Sequence, residues 1–233
     1  MSKTLADRTK ATTKTILIIG DSGSGKTTLL GTAPDLYIAD FDNGLDVLAG
    51  RADVHYDDYF DEPDKPAAWQ ALKATVKEWR KAPAHQTFGL DSLTTAGECA
   101  LRYVLHKNGH NAARIQQGDW GEAISEVKDM LGFLTTLKCH VVVTAHYRIM
   151  QDEMGATYFV PLLYGKDLPH LVPKYFNDVW RTFVDLKTGQ NPTPDYKLQV
   201  RPTAKFNTLK NTLGIGGMYA EPDFSKLLGG GNA

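Results

Sequence analysis

Residues Gly20 to Thr28 read Gly-Asp-Ser-Gly-Ser-Gly-Lys-Thr-Thr, directly after the apolar run Ile16-Leu17-Ile18-Ile19. No other stretch constrains the fold as tightly. Gly20 to Thr27 satisfies the pattern G-x-x-x-x-G-K-[ST] in full, and a helix-compatible Lys-Thr-Thr-Leu-Leu segment begins at Lys26. Glycines in such a loop let successive backbone N–H groups turn inward around phosphate oxygens. The helix that follows adds the positive end of its dipole. Gly20, Asp21, Ser22, Gly23, Ser24, Gly25, Lys26, Thr27 and Thr28 are therefore the candidate nucleotide-binding residues. Lys26 is expected to reach the β- and γ-phosphates and the Thr27 hydroxyl to ligate Mg²⁺, which makes ATP and Mg²⁺ the implied cofactors.

A strand–loop–helix unit of this kind belongs to a layered α/β sheet. Short apolar runs at 15–19, 35–39, 86–90 and 139–145 are those of buried parallel strands. Between them, Trp69, Leu72, Val76 and Trp79 recur at helical spacing, as do Trp120, Ile124, Val127, Leu131 and Leu134. A third helix is predicted over 93–106 through Leu93, Ala96, Ala100 and Val104. These stripes are expected to pack in the core. After residue 150 the pattern changes. Strands are predicted at 156–163, 179–186 and 196–201, punctuated by prolines at 161, 169, 173, 192, 194 and 202. The fold class expected is α/β: a mostly parallel central sheet flanked by helices, with antiparallel strands toward the C-terminus.

A single domain is expected over 15–228. Residues 1–14 form a basic arm carrying Lys3, Arg8, Lys10 and Lys14 against Asp7, and 229–233 form a glycine-rich tail expected to be disordered. With 42% hydrophobic and 23% charged residues and a net charge of −1, nothing in the overall balance demands a nucleic-acid or membrane partner. A local basic strip can still bind phosphates. Cys99 and Cys139 have no CxxC spacing, so they are expected to be reduced core thiols of an intracellular protein. No apolar run approaches the ~20 residues a bilayer requires, and the N-terminus lacks the apolar core of a secretory signal. A cytoplasmic location is expected, or the host-cell cytoplasm for a phage-encoded chain.

A phosphate loop needs a carboxylate at another strand end to hold the magnesium shell. Asp91, after the apolar run in Thr-Phe-Gly-Leu-Asp-Ser-Leu, is that candidate, and it also suits the start of a helix. Ser92 follows it, not the glutamate that many ATPases place there to activate water, so the base must come from elsewhere. Asp40, Asp42 and Asp46 cluster after the second apolar run, whose strand is expected beside the phosphate loop. In an extended chain Asp40 and Asp42 share a face, one orienting water and the other structural.

Together these features resemble a RecA-type ATPase core over about residues 14–210. In that family the second strand ends in an acidic water-activating residue, matched by Asp42 in Asp40-Phe41-Asp42-Asn43-Gly44-Leu45-Asp46. The usual residue there is glutamate, one methylene longer. The third strand carries Leu-Asp-Ser, as in Leu90-Asp91-Ser92, and the fourth ends in a γ-phosphate sensor, matched by His146. The stretches Gln116 to Ile124 and Val-Val-Val-Thr-Ala-His resemble a group of phage-encoded nucleotide-binding proteins linked to single-strand annealing and recombination.

The resemblance implies an Mg-dependent ATPase, slow or DNA-stimulated, assembled as a homo-oligomeric ring or filament. Single-stranded DNA and a single-strand-binding protein are its implied partners. Two segments match the family's DNA loops: His106 to Asp119, with Lys107 and Arg114, and roughly Arg148 to Pro161, with Arg148 and aromatic residues able to stack on a base. A basic residue from a neighbouring subunit completes hydrolysis in this family, and Lys205 and Lys210 best match it. Two alternatives stand beside this: an assembly or motor ATPase without DNA specificity, and a small-molecule kinase. The chain's arginines are scattered, and residues 147–170 do not form the arginine-rich lid that a kinase uses.

Overall fold

Alternate residues of the first apolar run face opposite ways, and both faces are sealed. Leu17 and Ile19 join a core on one side of a sheet, while Ile16 and Ile18 join a second core on the other; all four are fully buried. Each such side chain contributes about 1.5–3 kcal/mol of burial. This run is the middle of the molecule.

The computed structural model describes residues 13–62, 64–186 and 193–229. Arm residues 1–12, with Lys3, Arg8 and Lys10, and tail residues 230–233 lie outside the described residues. In chain order the elements are β1 (Thr15–Ile19), α1 (Lys26–Leu30), β2 (Leu36–Asp40), β3 (Val54–Asp58), α2 (Ala68–Lys81), β4 (Thr87–Asp91), α3 (Leu93–Lys107) and α4 (Gln117–Leu134). They continue with β5 (His140–Ala145), β6 (Tyr147–Gln151), β7 (Thr157–Pro161), α5 (Leu168–Leu171), β8 (Asp178–Leu186), β9 (Pro194–Gln199), β10 (Tyr219–Ala220) and α6 (Phe224–Gly229).

Eight strands form one sheet in the order β10-β9-β8-β1-β5-β4-β2-β3. From β8 to β3 every pairing is parallel, whereas β9 and β10 are antiparallel additions. The expected fold class is the observed one. Trp69, Leu72, Val76 and Trp79 of α2, with the buried stripes of α3 and α4, cover one face. Leu29 and Leu30 of α1 and Phe224 of α6 cover the other. Trp120 departs from its expected place in the core: at the start of α4 it is 36% exposed, beside Tyr164.

Three differences from the sequence reading bear on the site. β2 does not adjoin β1, because β5 and β4 lie between them. The C-terminal ends of all four strands still open at one sheet edge, as parallel pairing requires. β3, Val-His-Tyr-Asp-Asp, was not expected; as an edge strand with mostly exposed side chains it lacks the apolar signature of a buried one. Finally, most of the segment from Arg148 to Pro161 is a paired antiparallel ribbon, β6–β7, rather than an open loop.

Candidate nucleotide-binding site

The chain leaves β1 at Ile19 and re-enters helical geometry at Lys26, so the phosphate loop curls over the end of β1. Gly25 caps the helix at φ 87°, a left-handed conformation that a side chain resists. Gly20 is needed for closeness: a Cβ there would stand 2.3 Å from Ser24 Oγ and 2.4 Å from Thr182 Oγ1. The Ser24 and Thr182 hydroxyls are themselves 2.9 Å apart, which fastens the loop to β8. Tyr147 donates its hydroxyl to Asp21 Oδ2 and fastens the loop to β6.

Above the loop lies a cavity of about 600 Å³. Ser22, Gly23, Gly25, Lys26, Thr27 and Thr28 line it from the phosphate loop. Phe41, Asp42, Gly44 and Val47 line it from the turn after β2, and Asp91, Thr95, His146 and Tyr196 complete it. The structure thus brings Lys26, Thr27, Asp91, Asp42 and His146 to one cavity.

Lys26 is 7% exposed and donates to the carbonyls of Gly20, at 3.1 Å, and Asp21, at 2.8 Å. An ammonium has three donors, so one remains for the cavity. Burial lowers its pKa, opposed by the charges of Asp91, Asp42 and Asp21. Asp91 ends β4 and is 1% exposed. Thr27 Oγ1 donates to its Oδ2 at 2.6 Å, and Thr144 donates to its Oδ1. Burial raises the Asp91 pKa despite these hydroxyls, so a cation beside Thr27 and Asp91 would satisfy an under-compensated carboxylate. Hydroxyl and carboxylate oxygens are hard donors that suit Mg²⁺. Among the described residues no group of three or more His, Cys, Asp or Glu could hold a metal by itself.

Asp40 and Asp42 do not share a face. β2 ends at Asp40 and the chain bends back, so that the Asp42 amide donates to Asp40 Oδ1 at 3.0 Å, and Asn43 takes a left-handed φ of 52°. Asp40 is 2% exposed and lines a separate cavity with Asn43, Asp46 and Asp58. Burial pushes its pKa up to about 6, with the Asp91 and Asp42 charges adding to the effect. Asp42 faces the nucleotide cavity. Its Oδ1 accepts from Ser92 Oγ at 3.0 Å and from Thr95 Oγ1, and its Oδ2 lies 3.8 Å from His146 Nε2. Burial alone would raise the Asp42 pKa; the nearby His146 ring and hydrogen bonds from the Thr95 and Ser92 hydroxyls outweigh it and hold the carboxyl below its usual range. His146 follows β5 directly, its amide donating to Thr94 Oγ1 at 3.0 Å.

The remaining sequence candidates stand apart from this cavity. Lys107 is engaged by Glu122, while Arg114 ends an exposed 3-10 turn, Ala112–Arg114. Arg148 donates to the Gly165 carbonyl at 2.7 Å. Phe159 is not free to stack on a base, because it lies flat on Phe206, 4.4 Å between centroids, and meets Tyr147 edge-on. Lys205 is exposed, its carbonyl accepting from the Phe159 amide. Lys210 lies by the start of β8, where it donates to Phe176 O at 2.6 Å and burial lowers its pKa.

Sequence reasoning gave no site role to Ser92, Thr95, Thr144 or Tyr196. The first three are hydroxyls whose roles arise only when strands β2, β4 and β5 align. Tyr196 comes from β9, with its ring against Gly25.

A family model described as an AAA domain matches residues 12–209. The chain belongs to that family. An AAA domain with a complete phosphate loop is a nucleotide-binding domain of the ATPase class. No curated protein matches the chain. Solved structures similar to this AAA domain include a prototypical ATPase from the type III secretion system of pathogenic bacteria. There the identity is 16%, the match covers 72% of this chain and 50% of that one, and the TM-score is 0.47. The chain thus spans half the length of that ATPase. Another is the flagellar accessory protein FlaH from Methanocaldococcus jannaschii, at 11% identity, 82% and 87% coverage and a TM-score of 0.37. No helix among the described residues is long and apolar enough to cross a membrane.

Proposed function

We propose that this AAA domain hydrolyses MgATP, with Asp42 as the base and His146 as the group that senses the γ-phosphate. The observation that carries it is the convergence of the phosphate loop, Asp91, Asp42 and His146 on one cavity. Lys26 and the loop amides would bind the phosphates, and Thr27 and Asp91 would hold Mg²⁺. A magnesium ion held by Thr27 and Asp91 would supply positive charge to offset that of the phosphates. Asp42 Oδ2 would orient water and take its proton, while His146 distinguishes ATP from ADP.

The wider proposal is a homo-oligomer in which a neighbour's lysine completes the site and ATP stabilises a state that binds single-stranded DNA for phage-type recombination. Lys205, being exposed, suits the trans role better than Lys210, whose ammonium is occupied. Arg114, exposed on the Ala112–Arg114 turn, is the basic residue proposed to touch DNA. The two buried unpaired thiols, Cys99 and Cys139, accord with a reducing cytoplasm. An assembly or motor ATPase without DNA specificity is the second reading, favoured by the engagement of Lys107 and Arg148 within the chain.

Phosphate release with and without single-stranded DNA, over a range of salt, decides between them. Stimulation that fades with salt supports DNA action. Unchanged turnover supports the second reading, and no Mg-dependent turnover at all overturns the ATPase proposal.

A further inference from the structure

Asp42 sits on a turn, one methylene shorter than a glutamate and held by no strand pairing of its own. A base placed this way must be immobilised by its neighbours, since a misplacement of about 1 Å can cost roughly a hundredfold in rate. Its backbone is tied by the Asp42 amide to Asp40 Oδ1 at 3.0 Å. Its carboxylate is tied by two hydroxyls, Ser92 Oγ at 3.0 Å and Thr95 Oγ1, from the junction of β4 and α3. Both hydroxyls converge on the same oxygen, Oδ1. That leaves Oδ2 toward His146, on the cavity side, as the oxygen able to accept a proton.

We propose that Thr95, with Ser92, is a positioning residue that clamps Oδ1 of Asp42 and so directs Oδ2 at the attacking water. Ser92 also accepts from the Thr95 amide at 3.5 Å as the cap of α3, so its hydroxyl serves helix and site at once. Thr95 lines the nucleotide cavity, and its hydroxyl reaches Asp42 across 53 positions of sequence. Asp91 and Ser92 are consecutive, so the residue that would hold the metal and one of the two that tie the base share the junction of β4 and α3. The clamp rests on the reading of Asp42 as the base, and its test is built to separate the two.

The test compares Thr95→Val, which keeps the shape and removes the hydroxyl, with Thr95→Ser, which keeps the hydroxyl, and with both substitutions' effect alongside Asp42→Asn in the full chain. Steady-state hydrolysis and the Kd of a non-hydrolysable ATP analogue are measured for each. Thr95→Val is expected to lower kcat about ten- to a hundredfold with KM and Kd nearly unchanged. Thr95→Ser should recover most of that loss. In the Asp42→Asn background, Thr95→Val should cost nothing further, because the two residues act as one unit. Wild-type kcat in Thr95→Val while Asp42→Asn is inactive overturns the clamp but leaves the base. Losses that add in the double variant overturn it too, since they give Thr95 a role independent of Asp42. Wild-type turnover in Asp42→Asn itself overturns the base and the clamp with it. Thr95→Ser is the control against misfolding: if it folds and hydrolyses like wild type while Thr95→Val fails, the hydroxyl is what the site requires.

Discussion

The phosphate loop and the acidic turn after β2 face each other across one cavity, yet they are built in opposite ways. The loop is shaped mainly by its own sequence, with Gly25 at positive φ and a lysine that folds onto the carbonyls of Gly20 and Asp21, while Thr182 and Tyr147 fasten it to β8 and β6. The turn is set by residues far along the chain. Asp42 is held by Ser92 and Thr95, fifty or more positions away. A local device is robust and recognisable. A device assembled from distant hydroxyls can be retuned one residue at a time, at the expense of depending on the whole sheet edge.

The largest expected effect falls on the loop. Lys26→Ala removes a charge-assisted contact to phosphate and should weaken ATP binding by at least about a hundredfold in calorimetric titration. Retained affinity would show that the loop does not bind as its sequence implies.

Next comes the buried side of the acidic turn. Asp40 has a pKa raised to about 6 by burial, against about 3.9 unfolded. A carboxyl raised in this way favours the folded state below the unfolded value, and that advantage is lost as pH climbs through 6. At pH 8 its charge costs up to about 3 kcal/mol. Asp40→Asn keeps the oxygen that accepts from the Asp42 amide. It should therefore stabilise the protein in urea unfolding at pH 8 and change little at pH 4. Equal effects at both would contradict the burial assigned to Asp40.

A smaller effect is expected at Gly25→Ala, about 1–2 kcal/mol of stability from strain at φ 87° and the Tyr196 ring beside it. Smallest is Tyr147→Phe, which frees Asp21 from β6 and should cost about 0.5–1.5 kcal/mol by thermal unfolding. If Tyr147→Phe proves more damaging than Gly25→Ala, the loop depends on distant partners as much as the turn does.

The same division explains what was legible in the sequence. β1, β2, β4 and β5 are apolar runs because helices cover them on both faces, and α2, α3 and α4 carry one apolar stripe each. β3 was missed because an exposed edge strand has no such pattern, and β6 because its partner β7 lies across a turn that periodicity does not mark. Asp91 stood out as a carboxylate ending an apolar run. Thr144 and Thr95 had no signal, since a hydroxyl in a strand or a helix usually does nothing. The separation of Asp40 from Asp42 was also hidden, because an extended chain and a bent one have the same sequence there.

The most direct test of the account is Asp42→Asn, assayed for binding of a non-hydrolysable ATP analogue and for phosphate release in the same preparation. The amide keeps an oxygen for the Ser92 and Thr95 hydroxyls but is a poor proton acceptor. The expected result is a Kd within about threefold of wild type and turnover reduced by roughly a hundredfold or more. Wild-type turnover with unchanged affinity would remove Asp42 from the chemistry and contradict the account.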